Sequence, residues 1–152
     1  MVIERRPESF DDVFMNALHQ SKLIGVHGRN HSGKTRLIRD LISHTGGTHI
    51  EVDDHLEQPP DGRTYLERVK AGELMQIIRM SQKPVFLDSF IVLDVLEKIN
   101  VQADYLIFCE RLTDVSNFRF NQALEKTYDD YEERRDPRDS ASKIFTFNLF
   151  LV

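Results

Sequence analysis

Residues 28–35 read Gly28-Arg29-Asn30-His31-Ser32-Gly33-Lys34-Thr35. The spacing G-x-x-x-x-G-K-[ST] is that of a phosphate-binding loop. Glycine lets the backbone wrap close around phosphate oxygens where a Cβ would collide. The wrapped amides form an anion-binding nest, and the helix that follows adds the positive end of its dipole. In this pattern Lys34 reaches the β- and γ-phosphates and the Thr35 hydroxyl ligates Mg²⁺. Gly28, Arg29, Asn30, His31, Ser32, Gly33, Lys34, Thr35 and Arg36 are therefore the expected nucleotide-binding residues.

The flanks carry the context such a loop needs. Leu23-Ile24-Gly25-Val26 is an apolar run immediately before it, read as a strand over 22–27. Leu37, Ile38, Leu41 and Ile42 then recur at helical spacing over 34–44, and Gly46-Gly47 ends the pattern. Upstream, Ser9 to Gln20 reads as a helix with Ser9 as N-cap and Asp12 three residues on. Downstream, His49–Val52 is a strand ending at Asp53-Asp54, and Pro59–Gly62 is a loop. Thr64 to Ser81 is helical by pattern, with Gly72 the candidate interruption. Pro84–Asp88 is a strand, Ile91–Ile99 a helix, Tyr105–Cys109 a strand and Thr113–Arg135 a mostly polar helix. Ile144–Leu149 is the last strand.

Strands that read as continuous apolar runs and alternate with helices imply an α/β fold. The expectation is a three-layer α/β/α architecture with a five-stranded, mainly parallel sheet, in one domain over 1–152. Residues 1–21 form an N-terminal helical segment and 22–149 the core. Ligands in such sheets sit at the carboxyl ends of the strands. That brings the loop, Asp53-Asp54 and Asp88 to one edge.

Bulk properties narrow the partners. Among 152 residues the formal net charge is −5, which argues against nucleic acid, whose backbone demands a basic face. No apolar stretch is long enough for a membrane span, and the first residues carry no apolar signal core. The single cysteine, Cys109, fits a reducing cytosol and a buried small hydrophobe. A cytoplasmic monomer or homodimer is expected. No D-x-x-G or [NT]-K-x-D occurs and no zinc spacing is present.

The acids have roles in phosphate chemistry. Asp88 ends a hydrophobic strand and can hold Mg²⁺ opposite Thr35, or else cap the helix over 91–99, a task Ser89 could also perform. Asp53 is the expected base for an attacking hydroxyl, with Asp54 next in line and an Asx-turn the alternative. His55 and Tyr65 are candidate acceptor contacts; Tyr65 also suits a core stripe. Arg111 and Arg119 are the candidate cations opposite Lys34.

The order GRNHSGKT, IEVDDHLEQP, PVFLDSF, ADYLIFCER and YDDYEERRDP resembles the uridine kinase and nicotinamide riboside kinase group of P-loop kinases, over about residues 22–148. The resemblance implies ATP and Mg²⁺ as cofactors. It also implies phosphorylation of a small hydroxyl-bearing acceptor, nucleoside-like, with Asp53 as the base for a ribose 5′-hydroxyl. The chain departs in having Asp88-Ser89 where the group commonly has Glu-Gly. It also has only Arg111 and Arg119 where the group's lid usually carries several arginines, and the acceptor region between Pro59 and Pro84 is short. Two other readings stay open: a nucleotide-binding regulatory module with little or no transfer, and a P-loop kinase for a different small molecule.

Overall fold

The computed structural model describes residues 2–3, 10–29, 32–58, 61–111, 122–147 and 149–150. Its elements in chain order are β1 (Val2–Ile3), α1 (Asp12–Gln20), β2 (Leu23–His27), α2 (Lys34–Thr45), β3 (Thr48–Glu51) and a 3₁₀ turn (Val52–His55). These are followed by α3 (Tyr65–Arg68), α4 (Ala71–Met80), β4 (Val85–Asp88), α5 (Val92–Ile99), β5 (Tyr105–Arg111) and α6 (Gln122–Arg135). Then come α7 (Pro137–Ser140), β6 (Lys143–Phe147) and β7 (Leu149–Phe150).

Five strands form a sheet in the order β3-β4-β2-β5-β6, and every pairing in it is parallel. Connections between parallel strands are right-handed. From β2 the chain travels past β4 to β3, whereas from β4 it travels past β2 to β5, the opposite direction. The linking helices therefore land on opposite faces. The core divides accordingly. Ile24, Val26, Phe86, Ile107 and Cys109 pack with Phe14 and Leu18 of α1 and Leu37, Ile38 and Leu41 of α2. Leu23, Val85, Leu87 and Phe108 pack with Leu74 and Ile78 of α4, Val92, Val95 and Leu96 of α5 and Tyr128 and Tyr131 of α6. Alternation along each strand sends neighbours to opposite faces, and both faces are covered, so the inner runs 23–26, 85–87 and 106–109 are apolar.

The structure corrects several boundaries. Helix α1 is capped by Asp11, whose Oδ1 accepts from Phe14 N at 2.8 Å; Ser9 lies outside the described residues. The helix expected over 64–81 is two helices, broken at Val69 and Lys70 rather than at Gly72. The cause is tertiary. Glu57 N donates to Arg68 O at 2.7 Å and Lys70 N to His55 O at 2.9 Å, so Val69 pairs antiparallel with Leu56 and must be extended. Asp53 and Asp54 lie within the 3₁₀ turn. The two-residue strands β1 and β7 pair antiparallel, a small second sheet the sequence patterning did not reveal. Of the polar helix expected over 113–135 the described part is α6; Val115 and Phe118 lie outside it. Among the described residues no helix is long and apolar enough to cross a membrane.

Candidate functional site

Because the sheet is parallel, the carboxyl ends of its strands share an edge. The register puts Val26 and Glu51 beside Asp88. The loop after β2 closes on this edge. A Cβ on Gly28 would meet Cys109 O at 2.2 Å and Ser32 Oγ at 2.8 Å, so only glycine fits. Gly33 sits at φ 85, the left-handed region, at the N-cap of α2.

The Lys34 ammonium donates to the carbonyls of Gly28 at 2.8 Å and Arg29 at 3.0 Å. It thereby lies across its own loop. Burial pulls the ammonium below the usual lysine value, against the opposing pull of the Asp88 and Asp53 carboxylates. Ser32 is wholly buried, and its hydroxyl has no partner among the described residues. A buried hydroxyl is nearly always hydrogen-bonded, so this one suits a polar group brought to the loop. Thr35 Oγ1 lies 3.3 Å from Glu51 Oε1 and 3.4 Å from Asp88 Oδ2. Both distances are long for a hydroxyl on a carboxylate.

Asp88 is 7% exposed and contacts His49 Nε2 at 3.0 Å. It does not cap α5, whose N-cap residue Ile91 starts a helix with no side-chain cap bond; Ile91 N donates to Ser89 Oγ at 3.2 Å. The carboxylate is left to the cleft. That cleft, a cavity of about 670 Å³, is lined by Ser32 to Arg36, Arg39, Asp40, Glu51, Asp53, Asp88, Ser89 and Phe90.

Asp53 is exposed on the 3₁₀ turn and accepts a hydrogen bond from the Tyr65 hydroxyl. Burial, with Asp53 adding to it, holds the Tyr65 phenol above its ordinary pKa. The Tyr65 ring stands edge-on to Phe90, centroids 4.7 Å apart. Tyr65 thus braces Asp53 rather than lining the cleft. Asp54 is exposed and His55 bonds Glu73 Oε2 of α4 at 3.1 Å; neither borders the cavity.

Arg29 and Arg111 are engaged with α6. Arg29 bonds Glu125, Asp129 and Glu132 of α6 at 3.0, 2.6 and 3.0 Å and stacks 4.6 Å from the centre of the Tyr128 ring. Its side chain therefore points to α6, leaving its backbone to the loop. Arg111, at the end of β5, lies 3.4 Å from Glu125. Asn30, His31 and Arg119 lie outside the described residues. Burial pushes the Cys109 thiol up to about 12, so it stays a neutral hydrophobe.

Sequence reading missed Glu51 and His49. Both sit on β3 with Ile50 between them, so they face the same way as Asp88 on the neighbouring strand. Polar residues alternating with an apolar one were the available signal. No protein-family model matches the chain, and no curated protein matches it either.

Proposed function

We propose that the chain is an ATP-dependent phosphotransferase acting on a small hydroxyl-bearing, nucleoside-like acceptor. The observation that carries this reading is that the phosphate loop and the Asp53 carboxylate open onto one cavity of about 670 Å³. A nucleotide-binding loop alone needs no such acid beside it. A transferase needs a group that orients a hydroxyl and accepts its proton.

The donor set suits the cofactors. The Gly28 backbone and the Ser32 hydroxyl, unpartnered among the described residues, fit a phosphate, and the Thr35 hydroxyl with the Asp88 and Glu51 carboxylates are hard oxygen donors of the kind Mg²⁺ takes. Bound Mg²⁺ would neutralise charge on the phosphate oxygens. Amides of the loop and Lys34 would hold the triphosphate in place. Asp53, braced by Tyr65, would take the acceptor's proton as that oxygen bonds to the terminal phosphorus and the bond to the bridging oxygen of ADP breaks. Such general-base help is worth about 10²–10⁴-fold in rate.

One observation favours the regulatory reading. Glu125 engages both Arg29 and Arg111, so these two cations are held toward α6. The assay that separates the two is ADP release from ATP alone and with a panel of nucleosides and amino sugars. The transferase reading expects release that depends on one acceptor class and falls about 10²-fold or more in Asp53→Asn with ATP binding intact. Release that no acceptor accelerates overturns it in favour of the regulatory module.

A further inference from the structure

We propose that His49 and Glu51 join Thr35 and Asp88 as donors of a divalent-cation site with a nitrogen ligand, so that the cleft selects Mn²⁺ over Mg²⁺. The inference deepens the phosphotransferase reading by naming its metal, and rests on it only in placing the ion beside the loop. His49 Nε2, a Glu51 oxygen and an Asp88 oxygen all lie within 4.8 Å of one another. His49 Nε2 is 3.0 Å from Asp88 Oδ2 and 3.9 Å from Glu51 Oε1, and Thr35 Oγ1 is 3.4 Å from Asp88 Oδ2 and 3.3 Å from Glu51 Oε1. Donors that share one ion at about 2.0–2.2 Å stand roughly 2.8–3.6 Å apart, so these atoms need little movement to converge.

The fold makes the convergence. His49 and Glu51 are two apart on β3 and present the same face, while the parallel register sets Glu51 opposite Asp88. Thr35 enters from the first turn of α2. The Asp88 carboxylate is 7% exposed, and a buried anion demands a cationic or hydrogen-bonding partner. A separate observation points to a ligand in this cavity: the Ser32 hydroxyl on its wall is fully buried and without a partner among the described residues. Imidazole is a poor ligand for Mg²⁺ and a good one for first-row transition ions, whereas carboxylates and hydroxyls accept both. A site of two carboxylates, one hydroxyl and one imidazole therefore binds Mn²⁺ ahead of Mg²⁺.

The test titrates the full chain with Mn²⁺ alone, without nucleotide, with Mg²⁺ as competitor. Pulsed electron paramagnetic resonance then reads nitrogen coupling on the bound ion. Wild type should show ¹⁴N coupling from one imidazole. His49→Gln should lose it, with the Mn²⁺-over-Mg²⁺ preference falling about tenfold or more, the scale on which even outer partners of metal ligands act. Glu51→Gln should weaken Mn²⁺ yet keep the nitrogen coupling, and thermal melts without metal verify that both variants fold. Bound Mn²⁺ with no nitrogen coupling, no Mn²⁺ binding at all, or an unchanged preference in His49→Gln overturns the proposal. ATP binding is measured alongside at saturating Mg²⁺. Wild type that binds Mn²⁺ with nitrogen coupling but binds no ATP would strike the nucleotide reading and leave the metal site.

Discussion

Lys34 is the residue on which the proposed donor half of the cleft turns. Its ammonium is held by two carbonyls of its own loop, at 2.8 and 3.0 Å, leaving a third N–H for a ligand. Burial lowers its pKa, with Asp88 and Asp53 opposing, so a phosphate that restores counter-charge gains from a partly desolvated cation. Wild-type protein at a hundredfold excess of ATP over Kd should gain about 3 kcal/mol of stability, read as a rise in melting temperature. Lys34→Ala should lose most of that gain. Undiminished stabilisation in the variant would remove the loop from nucleotide binding. The neighbouring Arg29 shows how one residue type serves two ends. Its guanidinium is tied to three acids of α6 and lies over Tyr128, so it fastens the loop to a helix.

At the scale of elements, α6 joins the site to the sheet. Glu125, Asp129 and Glu132 recur at i, i+4 and i+7 and meet Arg29 on one face. Arg134 and Arg135 at its end bond Asp94 of α5, at 2.8 and 2.7 Å. Burial works to raise the Asp94 pKa, but the hydrogen bonds and charges of the two arginines outweigh it and hold the carboxyl below its usual value. A depressed carboxyl stabilises the fold fully above its unfolded pKa, about 4, and loses that contribution as pH falls through the folded value. Asp94→Asn should therefore cost about 1–2 kcal/mol at pH 7, discounted because Arg134 is exposed. The cost should shrink toward zero in urea melts taken below pH 4. A pH-independent difference would assign it to packing instead. This helix was only partly legible in the sequence, as a mostly polar helix over 113–135, because its partners Arg29 and Asp94 are distant in the chain. The break at Val69 was hidden for the same reason, since it depends on pairing with residues 55–57. By contrast, the apolar runs before Gly28, at 84–88 and at 105–109 made the sheet and its ligand edge legible, because burial on both faces leaves no room for polar alternation. Asp53 and Asp88 were found by that rule. Glu51 and His49 were not, because only the register of β3 against β4 brings them to Asp88.

Across the whole molecule, the sheet is pinned by a buried polar chain that links β2, α5 and α6. The Tyr131 hydroxyl accepts from Leu93 N at 3.1 Å and is hydrogen-bonded to His27 Nδ1 at 2.7 Å. His27 Nε2 is buried without a partner among the described residues. Burial, with the Lys34 charge adding to it, lowers the His27 pKa to about 3. A histidine depressed this far contributes stability that is complete above its unfolded pKa of about 6.5 and drains away as pH falls toward the folded value. Between pH 7.5 and 5 the wild type should lose about 2 kcal/mol more than His27→Gln, whose amide oxygen can still accept from Tyr131. Equal losses in denaturant melts would place the acid sensitivity elsewhere. The same architecture that buries His27 at the end of β2 also aims the loop after it at Asp53 and Asp88. The most direct test of that arrangement as a phosphotransfer site is to follow the terminal phosphoryl group of γ-labelled ATP in the presence of the nucleoside panel. The account predicts label on an acceptor hydroxyl with wild-type protein and its loss with Asp53→Asn. Label that appears only as inorganic phosphate, or stays on ATP with every acceptor, would contradict it.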